Sequence, residues 1–265
     1  MSIIPLVSVD PSIASSYDKA GKTGGPRANL TPLCKLGKAG IAVPEMARAL
    51  LNLSNAVAAA GGDLRITECH RDVAVQKAAR AKYDAWVAAG KPKPGTSACN
   101  DKTMKAAFVA TPGRSGHNAG RSIDVHLGAL KFAAPMDQQL DRLWAVALPL
   151  GWKPIIKTAD ECASEAWHFD YWGELTGVFE RLGYEQAALC GAILVGHGDL
   201  DSHGARVQAL LCRAGFNIGK IDGIAGANTA NALATALGVS VDAAKAVISS
   251  NDTSVYARLL ALPAK

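Results

Sequence analysis

The chain lacks any stretch of about 18 consecutive apolar residues, the minimum for a membrane-spanning helix. Its opening residues, Met-Ser-Ile-Ile-Pro-Leu-Val-Ser-Val-Asp, have no basic n-region and too short an apolar run for a secretory leader. The six cysteines are scattered, with no Cys-x-x-Cys. No Ser-His-Asp or Cys-His arrangement with a recognisable nucleophile motif is present either, which leaves covalent acyl transfer without a carrier. Net charge is +5, too small to argue for nucleic acid. It favours approach to anionic polymers, with a solvated basic face as the plainer explanation.

What is there is ordinary globular sequence. At about 100 to 200 residues per domain, 265 residues suit one medium and one small domain. Pro44-Glu-Met-Ala-Arg-Ala-Leu-Leu-Asn-Leu reads as a helix with proline in its first turn, Asp63 to Thr67 as a strand, and Asp72 to Ala89 as a helix closed by Gly90. Lys91-Pro-Lys-Pro-Gly95 is then a loop, Met136 to Leu148 a helix and Lys153 to Ile156 a short strand. The expected class is α+β, a small antiparallel sheet with flanking helices. The first forty residues, rich in Gly, Pro and Ser, resist assignment. After Tyr184 the composition changes to an Ala- and Gly-rich stretch, which divides the chain into 1–184 and 185–265.

The chemistry is concentrated in Ser115-Gly-His-Asn-Ala-Gly-Arg-Ser-Ile-Asp124 and in Glu165-Ala-Trp-His168. Together they bring two imidazoles and two carboxylates. A catalytic zinc keeps three protein ligands and an open position for water, and it needs a base that is not a ligand. His117, Asp124 and His168 suit the first role and Glu165 the second. Gly120 lets the chain turn after His117, and Arg-Ser-Ile-Asp-Val-His-Leu alternates at the period of a half-buried strand, with Asp124 on its polar face. A seven-residue separation would also place both residues on one face of a helix, but the glycine and the β-branched Ile123 and Val125 favour the strand. His168 precedes strand-prone aromatic residues, so it starts a strand with Glu165 in the loop before it. Taken singly, any of these residues is more commonly structural; four in concert point to a metal. His126 competes as a ligand because it shares a strand face with Asp124. It is kept outside the first ligand set, as are Trp167 and Asp170. Arg71 can hold a substrate carboxylate or polarise a carbonyl. Ser115 can bond substrate, orient His117, or simply form the turn.

The pattern Ser-x-His-x-x-Gly-x-(small)-x-Asp followed by Glu-x-Trp-His resembles the signature of the zinc D-Ala-D-Ala carboxypeptidase and L-alanyl-D-glutamate endopeptidase family, related in fold to lysostaphin-type peptidases and the hedgehog domain. The resemblance implies Zn2+ held by His117, Asp124 and His168, with Glu165 as catalytic base. Leu64-Arg-Ile-Thr-Glu-Cys-His-Arg71, with Gln76 five residues on, resembles the family's strand ending in Ser-Gly-Tyr-Arg. It implies substrate-binding roles for Arg71 and Gln76. Glu68, Cys69 and His70 depart from that pattern. A D,D-carboxypeptidase would use the same metal site and differ only in how the surroundings of Arg71 receive a terminal carboxylate. A non-catalytic wall-binding protein with a structural metal is the other alternative, and a non-ligand Glu165 argues against it.

Further on, Val207-Gln-Ala-Leu-Leu-Cys-Arg-Ala-Gly-Phe216 leads into Ile221-Asp-Gly-Ile-Ala-Gly226-Ala-Asn-Thr229. This resembles the peptidoglycan-binding type 1 module, a small three-helix-type domain, although the family's Phe-Gln in its last helix is absent. Gly223 and Gly226 supply turns, and Asn228 or Thr229 can cap the next helix. Bacterial peptidoglycan is thus the expected partner. A wall hydrolase without an export signal suggests a phage-type, bacteriolytic endolysin, made in the host cytoplasm and released to the wall, with free thiols and a monomeric state assumed.

Overall fold

The computed structural model describes residues 2–13, 40–90, 109–160 and 165–265. They divide into two compact units, one built around a sheet within residues 6–171 and one built of helices, chiefly Trp172–Lys265. The expected loop at 91–95 and most of the unassigned first forty residues lie outside the described residues.

In the sheet unit, β1 (Val7–Ser8) pairs antiparallel with β2 (Ile41–Ala42). Helix α1 (Pro44–Ala59) starts with proline at its first turn and buries Met46, Ala49, Leu50, Leu53 and Val57, a single apolar stripe of helical period. Helix α2 (Val73–Ala88) is capped by Asp72, whose carboxylate accepts from the Ala74 amide at 2.7 Å. Its one fully buried side chain is Gln76. A four-stranded antiparallel sheet has the order β3-β4-β6-β5, with β3 Ile66–Glu68, β4 Ser122–Val125, β5 Trp152–Pro154 and β6 His168–Tyr171. The class is therefore α+β, as composition and pattern predict.

Three boundaries differ from expectation. The first strand lies at 66–68 rather than 63–67, because its pairing with β4 is interrupted by a register shift between Ile66 and Glu68. The helix expected over 136–148 opens as a 3₁₀ turn and becomes α3 only at Gln139–Ala147, after which Pro149 forces a second 3₁₀ turn. Strand β5 ends at Pro154, which has no N–H to extend the ladder.

Six helices form the described helical unit: α4 (Thr176–Leu182), α5 (Tyr184–Leu194), α6 (His203–Arg213), α7 (Ala227–Leu237), α8 (Val241–Ser249) and α9 (Val255–Leu260). Five of them, α5 to α9, make up the segment from residue 185 onward, where a three-helix arrangement is expected. Helix α5 is apolar on every side and buried from Ala187 to Leu194, so it serves as the centre around which the others pack. The core runs back to Trp172, Leu175 and Val178. The Asp-Gly-x-x-Gly run folds around buried Gln208, whose Oε1 accepts from the amides of Asp222 (3.2 Å) and Gly223 (2.8 Å) while Nε2 donates to Asp222 Oδ1 (2.9 Å). Gly223 adopts φ 79, but neither Asn228 nor Thr229 caps α7: Gly226 occupies that position, and both residues lie inside the helix. No single helix among the described residues is long and apolar enough to cross a membrane. Cys69, Cys190 and Cys212 are buried and form no disulfide with one another. Burial pushes the Cys212 thiol up to about 12. The other three cysteines lie outside the described residues.

Candidate metal centre

One rung of the sheet carries the centre. Asp124 of β4 stands opposite His168 of β6 on one side and Glu68 of β3 on the other. Further along, Ser122 faces Asp170, while Ile123 and Phe169 between them lie in the apolar core on the opposite face. His117 comes from the loop before β4. There Ser115 Oγ accepts from the His117 amide at 3.3 Å, the Ala119 amide donates to the Ser115 carbonyl, and Asn118 Oδ1 accepts from the Gly113 amide at 3.0 Å. The loop is thus tied by its own side chains. Gly120 then turns the chain at φ 65, where a Cβ would come within 2.7 Å of the Leu6 side chain.

The ligand atoms of His117, Asp124 and His168 lie within 4.8 Å of one another. Bonds of about 2.0–2.2 Å to one tetrahedral ion set ligand atoms roughly 3.3–3.6 Å apart, so a small inward shift of the side chains would bring all three onto one ion. Two imidazoles and a carboxylate are the donor set of an open transition-metal site, so these residues could hold a metal ion. His168 is gripped from both sides, with Nδ1 3.3 Å from Asp124 Oδ1 and Nε2 3.0 Å from Asp170 Oδ1. Asp170 in turn accepts from Ser122 Oγ at 2.5 Å. Burial by itself would lower the pKa of His168, but Asp170 and Asp124 outweigh it and hold the ring well above the ordinary imidazole range. A ring flanked by two carboxylates suits a place prepared for positive charge.

Glu165 lies in the turn before β6, in the left-handed region at φ 68, and its carbonyl accepts from the His168 amide at 3.0 Å. Its charge is felt at Arg71, as are those of Glu68 and Asp124. Arg71 donates through Nε and Nη2 to the two oxygens of Glu68 (2.8 and 2.5 Å) and through Nη1 to Gln76 Oε1 (2.8 Å), and its Nη2 lies 3.9 Å from Asp124 Oδ2. Burial opposes its charge, but these carboxylates more than compensate and keep it protonated.

A family model described as VanY, D-alanyl-D-alanine carboxypeptidase, matches residues 42–174, half of the chain. The chain belongs to the VanY family. Arg71, His117, Asp124, Glu165 and His168 all fall inside the match. As a member of that family it is a metallopeptidase of peptidoglycan, with His117, Asp124 and His168 as the group that could hold its metal. Two solved structures are similar over part of the fold. One is an alanine mutant of the vancomycin resistance D,D-pentapeptidase VanY from a VanB-type resistance cassette in complex with Zn(II), at 20% identity over 50% of this chain and 74% of that one, TM-score 0.36. The other is VanYB in complex with D-alanine-D-alanine, at 20% identity over 50% of this chain and 72% of that one, TM-score 0.37. No curated protein matches the chain.

Around the VanY-family centre the remaining candidates take different places. Gln76 is fully buried and binds Arg71 through Oε1 and the Ala110 carbonyl through Nε2 (2.7 Å), so it anchors the arginine. Ser115 serves the turn that presents His117. His126 leaves the strand: β4 ends at Val125, and the His126 ring lies against Gly128 in the following 3₁₀ turn. Shared strand parity with Asp124 therefore does not place it among the ligands. The Trp167 carbonyl accepts from the Val125 amide at 2.8 Å and extends the β4–β6 pairing. Asp170 stands behind His168 as an orienting carboxylate. The residue that the motif leaves unassigned is Glu68. Its three-residue spacing from Arg71 was the available signal.

Proposed function

We propose that this VanY-family protein is a zinc peptidase that cleaves the peptidoglycan stem peptide between L-alanine and D-glutamate. The convergence of His117, Asp124 and His168 carries the zinc-peptidase reading, and a D,D-carboxypeptidase would use the same three residues. Those three would hold the zinc, which when bound polarises a carbonyl and lowers the pKa of water to about 7. Glu165 takes the proton of the attacking water and returns it to the leaving amine. Arg71, held charged by its carboxylate neighbours, stabilises the negative charge that develops on the carbonyl oxygen. Asp170 keeps the His168 ring oriented through Nε2.

A second reading, D-alanyl-D-alanine carboxypeptidase, is favoured by the family's description. Mass spectrometry of fragments from defined muropeptides separates the two. Release of peptides with a new N-terminal D-glutamate supports the endopeptidase, and release of free D-alanine supports the carboxypeptidase. A zinc-loaded protein that cleaves neither bond would sink both.

The segment from Glu185 to Lys265 is proposed to bind the wall. An open pocket of about 320 Å³ lined by Gln208, Lys220, Asp222, Ile224, Asn228 and Thr229 supports this. Ile224, which lines it, is 74% exposed. We further propose an endolysin role, with synthesis in a host cytoplasm and action after release.

A further inference from the structure

The loop that carries His117 takes its shape from its own bonds, through Ser115 and Asn118. Three further contacts tie it to the helices, with which Pro112–Ala119 forms one compact unit. The Gly116 amide donates to Tyr184 Oη at 3.1 Å, and Arg114 Nε donates to Asp199 Oδ2 at 3.2 Å. Ala119 lies so near Gly191 of α5 that a Cβ built on that glycine would come within 2.6 Å of the Ala119 Cβ. These ties are unequal. The Arg114 and Asp199 side chains keep 23% and 30% of their surface exposed, so theirs is a screened surface pair that contributes little. Gly116 is buried and directly precedes His117. A buried amide that loses its acceptor is the costlier loss. The phenol that accepts from it is itself held in place: Tyr184 opens α5, the buried centre of the helical unit, and its ring meets that of Trp172 edge-on, 5.4 Å between centroids.

We propose that Tyr184 is a positioning residue for the metal centre: its hydroxyl, fixed on α5, holds the Gly116 amide and so sets where the His117 imidazole stands. This rests on the reading of His117 as a ligand. Tyr184 lies beyond the residues that the family model matches. The helical unit therefore has a duty in the chemistry, separate from the wall binding proposed for it. A ligand presented by a loop is only as well placed as the partners behind it, because a metal site tolerates little error in ligand position.

The test uses the full-length protein. It reads zinc affinity by competition with a chromogenic chelator, kcat and KM on a soluble stem peptide at saturating zinc, and the visible absorption of the cobalt(II)-substituted protein, which reports ligand geometry. Tyr184→Phe keeps the ring and removes the acceptor. It should bind zinc roughly 10- to 100-fold more weakly, the range for a lost partner behind a metal ligand, with kcat reduced, KM little changed and the cobalt bands shifted. Gly191→Ala, which pushes on Ala119 from the same helix, should shift the bands as well. His203→Gln, a change elsewhere in the helical unit, should leave zinc affinity and the bands as in wild type. Wild-type zinc affinity and spectrum in Tyr184→Phe overturn the proposal, even where that variant unfolds at lower urea, because Tyr184 then only supports the fold. An unshifted spectrum in Gly191→Ala overturns it too, as does a His203→Gln protein that loses zinc as readily as Tyr184→Phe. The ligand assignment is tested apart: if His117→Ala binds zinc as tightly as wild type, that reading falls and this proposal falls with it.

Discussion

His168 and Glu165 are three residues apart and have opposite duties. His168 lies among carboxylates and could donate one lone pair to a metal, so His168→Ala should lose both activity and zinc, since two remaining ligands hold an ion poorly. Stoichiometric zinc in that variant by elemental analysis would remove it from the ligand set. Glu165 is outside that set, and Glu165→Gln keeps its shape while removing the proton acceptor. Turnover should fall by roughly 10²- to 10⁴-fold with zinc content near wild type. Retained activity would move the base elsewhere, and Asp170, already bonded to Ser122 and His168, is poorly placed to take its role.

Among the elements, the contact between α6 and α9 provides a pH test. His203 opens α6, and its Nδ1 lies 2.7 Å from Tyr256 Oη of α9. Burial lowers the His203 pKa, and the Arg206 charge adds to it, against opposing pulls from a hydrogen bond to the Val247 backbone and from the Asp252 charge. In the unfolded chain the ring titrates near the ordinary value of about 6.5. As pH falls through that range the unfolded chain binds the proton first, so the stabilising contribution is complete above about 6.5 and is lost as pH falls towards the folded value. Urea unfolding of wild type and His203→Gln at pH values of about 7.5 and 5.5 should therefore show the wild-type advantage shrinking at the lower pH. An equal advantage at both would mean the ring does not titrate differently on folding.

For the whole molecule, the question is where the chain can be divided. A cut at residue 184 would separate Trp172, Leu175 and Val178 from Leu189, Ile193 and Leu210, which share one core. A fragment spanning 172–265 keeps that core together. It should unfold cooperatively by circular dichroism, sediment with purified peptidoglycan and cleave nothing, because it lacks Asp124, Glu165 and His168. A folded fragment that stays in the supernatant would place wall binding elsewhere in the chain.

Much of the centre was legible in the sequence because metal chemistry demands few residue types in a narrow pattern. His117 before a glycine turn, Asp124 on a period-two strand and His168 at the head of another could be read from local order alone, as could the helices whose apolar stripes and caps lie within one segment. The limits of that reading are equally local. The rule that residues 124 and 126 share a face held only while the strand lasted, and β4 ends at Val125. The number of helices in the C-terminal unit and the role of Gln208 at its turn depended on packing around α5. Which carboxylate lies behind His168, and which one takes up Arg71, was decided by the antiparallel register that brings β3, β4 and β6 together from distant parts of the chain. Residue type can announce a ligand, but the partner across a strand is chosen by hydrogen-bonded pairing, and that is a property of the folded sheet.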